Sequence, residues 1–262
     1  MRTPGLLLDL DGTLFIGTEW IPGARQALER LRRQGHPIVF VSNTLDWAED
    51  IVARLNDTGL PTPLDDIIHV PRVLSDYLNR HFPGAAVNVI GERSLVDQLR
   101  PHVRLSLDPD EIEVVVASAD LAFDFSKLTV AFLALRRGAR LVATNTDATW
   151  PGPSGPVPDT GAILGAIEGC TGRRPEAVVG KPSRSMAEAA LRRLGLPAHQ
   201  VWVVGDSLAT DVRMARQVGM TTVLVLTGVT RRDELAAAAV RPHHVLEAIA
   251  ELPDLISSLA DV

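Results

Sequence analysis

The run Leu6-Leu7-Leu8 passes straight into Asp9-Leu10-Asp11-Gly12-Thr13-Leu14. Three leucines in succession read as a short strand buried on both faces, the pattern of a parallel sheet interior. Strand side chains alternate between faces, so Asp9 and Asp11 point the same way if strand geometry persists through them. Gly12 then lets the backbone turn sharply. Two carboxylates brought together at a strand end repel each other unless a cation sits nearby. One reading is a solvated acidic loop after a core strand. The other is a metal-assisted phosphoryl-transfer site with one aspartate as nucleophile.

Three further apolar runs end in polar residues. Pro37-Ile38-Val39-Phe40-Val41 leads into Ser42-Asn43-Thr44, and Ala177-Val178-Val179-Gly180 into Lys181-Pro182-Ser183. Val201-Trp202-Val203-Val204 leads into Gly205-Asp206-Ser207-Leu208-Ala209-Thr210-Asp211. Open α/β sheets bind ligands outside the carboxyl ends of their strands. Four strands are therefore expected to present an acid pair, a hydroxyl and amide, a lysine and a second acid pair at one rim.

This set resembles the haloacid dehalogenase superfamily of phosphohydrolases. The motifs that carry the resemblance are Asp9-Leu10-Asp11-Gly12-Thr13, Ser42-Asn43, Lys181-Pro182 and Gly205-Asp206 through Asp211. Ile21-Pro22-Gly23-Ala24, Ala143-Thr144-Asn145-Thr146-Asp147 and Gly180-Lys181-Pro182-Ser183 are similar to the branch of NagD, p-nitrophenyl phosphatases and pyridoxal phosphate phosphatases. Two departures fall in the middle of the chain: Thr146 stands where relatives often have Pro, and Ser118-Ala119-Asp120 where many have Gly-x-Asp. Both touch substrate choice rather than chemistry.

Apolar runs of strand length alternate with amphipathic helical patterns, which predicts an α/β fold with a mostly parallel sheet. A helix opened by Pro22 and closed by Gly35 is expected, with Ala27, Leu28 and Leu31 facing inward. A second follows Thr44 and ends near Gly59, and a third spans 71–82. From Ala85 a second alternating set appears, with strand-like runs at 86–90, 113–117 and 140–143 and helical patterns at 94–99, 126–137 and 160–170. The stretch 150–158 holds four prolines and two glycines and reads as a loop or turn.

Spacing sets the domain plan. Asp9 and Ser42 are 33 positions apart, room for one helix and the next strand. Ser42 and Lys181 are 139 positions apart, far more than one crossover of about a dozen residues needs. An inserted domain is expected there. Residues 1–82 and 176–262 would form a Rossmann-like three-layer core, and 83–175 an α/β cap. The resemblance implies the type-two cap, which chooses the substrate.

By position in the family's motif, Asp9 is implied as the nucleophile that forms an aspartyl-phosphate. Asp11 is implied as the acid that protonates the leaving alkoxide and then the base that activates water. The resemblance further implies Mg2+ held by Asp9, the main-chain carbonyl of Asp11, and Asp206; magnesium keeps several waters and needs few protein ligands. Asp211 reads either as an acid favoured at a helix N-terminus or as a group orienting metal-bound water or Lys181. Ser42 and Asn43 read as phosphoryl hydrogen-bonders or as helix caps. Lys181 is expected to balance the acids and stabilise phosphate charge. Gly12 and Thr13 would offer backbone N–H groups to phosphate. Phe15 and Trp20 would shield the site or pack in the core. Asn145 and Asp147 are the substrate-facing candidates of the cap, though both residue types also cap turns locally. None of the seven histidines shows metal-ligand spacing.

Composition bounds the rest. Hydrophobic residues make up 46% of 262, ample for a core, and the net charge of −6 argues against a nucleic-acid footprint. The single Cys170 excludes an intrachain disulfide and reads as a small buried thiol. No secretory leader opens the chain and no apolar run is long enough to span a membrane, so a cytoplasmic enzyme is expected. The expected activity is Mg-dependent hydrolysis of a small phosphorylated metabolite: a nucleoside monophosphate, a sugar or glycerol phosphate, phosphoglycolate or pyridoxal phosphate, with p-nitrophenyl phosphate as an artificial substrate. Transfer of the phosphoryl group to an alcohol, or a catalytically silent phosphate-binding protein on the same fold, are the alternatives. Cap surfaces are candidate homodimer contacts.

Overall fold

The structure is a computed structural model and describes residues 3–56, 61–152 and 155–260. The chain begins with β1 (Gly5–Leu8), the short hairpin β2 (Phe15–Ile16) and β3 (Glu19–Trp20), α1 (Ala24–Arg33), β4 (Ile38–Ser42), α2 (Ala48–Asn56) and β5 (Ile67–His69). There follow α3 (Val70–His81), β6 (Ala86–Ile90), α4 (Arg93–Leu99), β7 (Arg104–Leu105), β8 (Val114–Ala117), α5 (Phe125–Arg136), β9 (Arg140–Ala143), β10 (Thr149–Gly152), β11 (Gly155–Pro158), α6 (Thr160–Thr171) and β12 (Ala177–Val178). The last stretch adds α7 (Arg184–Leu194), β13 (Val201–Gly205), α8 (Arg213–Val218), β14 (Thr221–Val225), α9 (Glu234–Ala237), β15 (His244–Leu246) and α10 (Leu252–Ala260).

Two compact units emerge. The first comprises Met1–Ser42, Ala48–His69 and Lys181–Val262; the second comprises Asn43–Trp47 and Val70–Gly180. The second unit therefore takes in α3, which the sequence plan placed with the core.

The first unit is built on a six-stranded sheet ordered β15-β14-β13-β1-β4-β5, parallel throughout. β1 is central and wholly buried, which is why its leucines run without polar interruption. Leu6 and Leu8 join one apolar cluster with Phe40, Val204 and Val223, covered by Ala24, Leu28 and Leu31 of α1, Ile51 and Leu55 of α2, and Leu252 of α10. α7 and α8 pack on each other, on β4 and on β14, completing three layers. Each buried leucine contributes about 1.5–3 kcal/mol. α1 starts at Ala24 rather than at Pro22, because Gly23 takes the left-handed φ of 80° that turns the chain into the helix. α2 runs to Asn56; its expected end near Gly59 lies outside the described residues. Phe15 is buried and its ring lies 4.2 Å from that of Trp20, so this pair packs in the core.

The second unit has its own parallel sheet, β12-β9-β8-β6-β7. α5 and α6 cover one face through Ala131, Ala134, Leu135, Ile163 and Ile167. Three expectations change here. The run at 177–178 is a strand of this second sheet, beside β9, and not of the sheet that carries Asp9. Within the stretch expected as a loop or turn at 150–158, β10 and β11 pair antiparallel, with Trp150 opposite Val157 and Pro151 opposite Pro156. An isolated two-stranded ribbon tolerates prolines that a central strand does not. Cys170 is exposed on α6 rather than buried. Among the described residues, no helix is long and apolar enough to cross a membrane.

Candidate active site

Asp9 is the first residue beyond β1. Its N–H donates to the Val204 carbonyl at 2.9 Å, so the ladder with β13 continues one step past the strand and fixes its backbone. Its carboxylate is buried. Lys181 Nζ donates to Asp9 Oδ1 at 2.5 Å and to Asp211 Oδ1 at 2.8 Å, all three groups buried. Thr13 Oγ1 donates to Asp9 Oδ2 at 3.2 Å.

Asp206 follows β13 and sits beside these groups. Carboxylate oxygens of Asp9, Asp206 and Asp211 lie within 4.8 Å of one another. Asp211 Oδ2 accepts from Ser207 N at 3.2 Å and Thr210 Oγ1 at 3.4 Å, so hydrogen bonds engage both its oxygens. Ser207 Oγ accepts from Thr210 N at 3.2 Å and caps the wide helical turn Leu208–Val212 that carries Asp211. Asp211 thus lies in the first turn of this helical segment and also contacts Lys181, the two positions that the sequence reading weighed.

Small residues make room. A Cβ on Gly205 would lie 2.3 Å from Asp211 Cγ, and one on Gly228 would lie 1.8 Å from Asp206 Oδ2. Gly12 combines a φ of +83° with a Cβ position 2.4 Å from Asp206 Oδ2, so a side chain is excluded on both grounds.

Sequence reasoning missed the segment after β14. Val229 N donates to Asp206 Oδ2 at 2.6 Å, Thr230 Oγ1 accepts from Leu208 N at 3.1 Å, and Thr227 Oγ1 donates to the Gly12 carbonyl at 2.5 Å. The signal was present: Thr227-Gly228-Val229-Thr230 follows a strand, in the position that drew attention to the other motifs.

Asp11 departs from expectation. The strand ends at Leu8, so the alternation that would align Asp11 with Asp9 is lost. The Asp11 side chain is 61% exposed, and Arg54 Nη2 lies 3.9 Å from its Oδ1. Ser42 is buried at the end of β4, the neighbour of β1, and pairs in register with His69. Asn43 begins the segment assigned to the second unit. Lys181 is carried by the loop ahead of α7, where Ser183 Oγ caps the helix by accepting from Met186 N at 3.2 Å.

In the second unit, Asn145 Oδ1 accepts from Asp147 N at 3.0 Å, a local turn of the kind the alternative reading described. Its Nδ2 reaches Asp159 Oδ1 at 3.5 Å. Burial, then the charge of Asp159, raises the pKa of the Asp147 carboxyl.

Electrostatics in the first unit point to a cation. Burial pushes the pKa of Asp9 up to about 8 against the pull of Lys181, with the charges of Asp211 and Asp206 adding to the rise. Burial and the Asp211 charge likewise lift Asp206 to about 6. Burial works against the Lys181 ammonium, but Asp211 and Asp9 outweigh it and hold it charged. Three buried carboxylates facing one ammonium leave negative charge uncompensated. A hard divalent cation with oxygen ligands fits this donor set.

Comparison with known proteins now bears on the site. Residues 6–102 match the haloacid dehalogenase-like hydrolase model, and residues 178–252 match a second, HAD-hydrolase-like model. The sugar-phosphatase AraL of Bacillus subtilis (strain 168) is 39% identical over 253 residues, covering 96% of this chain and 92% of that protein. The chain belongs to the haloacid dehalogenase-like hydrolases. Within that family it superposes on the p-nitrophenyl phosphatase from Archaeoglobus fulgidus with a TM-score of 0.91 at 34% identity, covering 97% of this chain and 100% of that one. A glycerol phosphate phosphatase from Mycobacterium tuberculosis, in complex with magnesium, gives a TM-score of 0.86 at 31% identity, covering 96% of this chain and 76% of that one. This haloacid dehalogenase-like hydrolase is a phosphatase, of the branch that its sequence motifs resemble.

Proposed function

We propose that the protein is a Mg2+-dependent phosphomonoesterase that works through an aspartyl-phosphate on Asp9 and acts on a small phosphorylated sugar or polyol. The observation that carries this reading is the buried Lys181–Asp9 contact within a cluster of three carboxylates.

Asp9 attacks phosphorus and the ester P–O bond breaks, its electron pair leaving on the alkoxide oxygen. Asp11 gives its proton to that oxygen. Asp11, now a carboxylate, takes a proton from water, whose oxygen attacks the phosphorus of the aspartyl-phosphate. Phosphate leaves and the Asp9 carboxylate returns. Two displacements replace one difficult attack. Lys181 keeps Asp9 oriented and offsets phosphoryl charge; Asp211 holds Lys181 in place. Ser42 and Asn43 bind the phosphoryl oxygens; the Gly12 and Thr13 N–H groups, expected from the sequence to do the same, donate instead to the Phe15 and Leu10 carbonyls at 2.7 and 3.3 Å. Asp9, Asp206 and the Asp11 carbonyl would hold Mg2+. Bound there, the ion would offset negative charge on the attacking and phosphoryl oxygens.

The second unit serves as the substrate-choosing cap, with Asn145 and Asp147 as its candidate contacts. The names of the Bacillus subtilis and Mycobacterium tuberculosis relatives support a sugar or polyol phosphate. The magnesium complex of the latter supports the choice of metal. A cytoplasmic location belongs to the same proposal. Colour release from p-nitrophenyl phosphate tests it first. Activity should require added Mg2+ and vanish with a chelator, and undiminished turnover in metal-free buffer would contradict the metal assignment.

A further inference from the structure

We infer that Arg54 is a positioning residue that ties the hairpin β2–β3 to Asp11 and sets the orientation of that carboxyl for proton transfer. The inference rests on Asp11 being the general acid and deepens that reading.

Arg54 lies in the last turn of α2, 43 positions along the chain from Asp11. Its guanidinium meets the loop after β1 at three points. Cζ lies 4.4 Å from the centre of the Phe15 ring. Nη2 donates to the Gly17 carbonyl at 2.7 Å, at the tip of the hairpin. The same nitrogen lies 3.9 Å from Asp11 Oδ1. A planar guanidinium can lie on an aromatic face while its edge donates to oxygens; an ammonium cannot do both.

The loop itself is tightly linked. Gly12 N donates to the Phe15 carbonyl at 2.7 Å, and Asp11 bridges to Phe15. Phe15 is buried, so the ring that carries Arg54 does not move with the surface. Arg54 thus connects a fixed platform, the exposed hairpin tip and the Asp11 side chain. Its Nε is buried with no hydrogen-bond partner among the described residues, a cost that a freely solvated surface arginine does not carry. The terminal contacts hold the side chain there despite it.

A residue that merely braced the hairpin would affect every substrate alike. One that orients the general acid matters most where the leaving group needs a proton. Nitrophenolate is a stable anion and leaves without one, whereas the alkoxide of glycerol phosphate does not. The experiment measures kcat and KM for Arg54→Met, Arg54→Lys, Asp11→Asn and the Asp11→Asn/Arg54→Met double variant. Both p-nitrophenyl phosphate and glycerol phosphate are used, at saturating Mg2+.

Arg54→Met should lower kcat on glycerol phosphate about 10- to 100-fold, with a much smaller fall on p-nitrophenyl phosphate and little change in KM. Arg54→Lys should recover part of the glycerol phosphate loss. The double variant should fall no further than Asp11→Asn alone, because both changes remove one function. Equal losses on the two substrates in Arg54→Met, or losses that multiply in the double variant, would overturn the inference. If Arg54→Met does not fold, Arg54→Lys decides in the same way: a selective loss supports the inference and an equal loss overturns it. Equal losses in Asp11→Asn itself would remove the general acid, and the inference with it. A selective Asp11→Asn beside an unselective Arg54→Met would overturn the inference alone.

Discussion

Lys181 reaches Asp9 from 172 positions away in the chain, with its ammonium 2.5 Å from the carboxylate oxygen and both side chains buried. A buried ion pair is expensive to form and is retained only where geometry and further hydrogen bonds satisfy it. Here Asp211 and Thr13 supply those further bonds.

Asp9→Asn should abolish turnover, by orders of magnitude, while leaving the fold intact. The amide keeps the size of the carboxyl but is no nucleophile. Steady-state rates on p-nitrophenyl phosphate, together with a melting curve, check this. Turnover near the parent value would remove Asp9 from the chemistry.

Asp211→Ala leaves Lys181 with one buried carboxylate partner instead of two. Breaking a buried pair from one side costs about 3–5 kcal/mol. Urea unfolding should show a loss of that order together with a fall in kcat, since Lys181 loses its second anchor. Unchanged stability would mean that Asp211 does not hold the lysine.

In metal-free protein, Asp9 and Asp206 bind protons more tightly when folded than when unfolded, with pKa values near 8 and 6 against an ordinary 3.8. The folded state then carries more protons than the unfolded one between about pH 4 and 8, and stability from these two groups is lost as pH rises through that window. A cation bound by the same carboxylates competes with those protons. The rise in melting temperature on adding Mg2+ should therefore be larger at pH 8 than at pH 5.5. An equal rise at both would place the ion elsewhere.

Much of this arrangement is readable in the sequence because each element is local. The leucines of β1, the helical spacing of Ala27, Leu28 and Leu31, and the strand-end positions of Asp9, Ser42 and Asp206 all follow from short-range patterns. What is not local was misread. Ala177 and Val178 look like any core strand, and nothing in two apolar residues says that their partner is β9 rather than β1. The alignment of Asp9 with Asp11 assumed a strand that continues, and β1 stops at Leu8. The contact of Val229 with Asp206 depends on two loops meeting, which no periodicity encodes. Arg54 carries no motif at all; its relation to Asp11 exists only in three dimensions.

Asp147→Ala should change kcat/KM unevenly across a panel of phosphorylated sugars, polyols and nucleosides while leaving Mg2+ dependence unaltered. Every monoester offers the same phosphoryl group, so discrimination depends on contacts to the rest of the ligand. Asn145→Ala should act in the same direction and also loosen the turn that its side chain closes onto the Asp147 N–H. A uniform loss across the panel for both variants would take substrate choice away from this turn.

Trapping the phosphorylated enzyme tests the central claim most directly. A single turnover with phosphoryl-labelled substrate and Mg2+, quenched in acid, should leave label on the peptide that contains Asp9. Borohydride reduction should then convert residue 9 alone to homoserine. Asp9→Asn should carry no label. Label on any other residue, or parent enzyme that turns over without ever holding the phosphoryl group, would contradict the account.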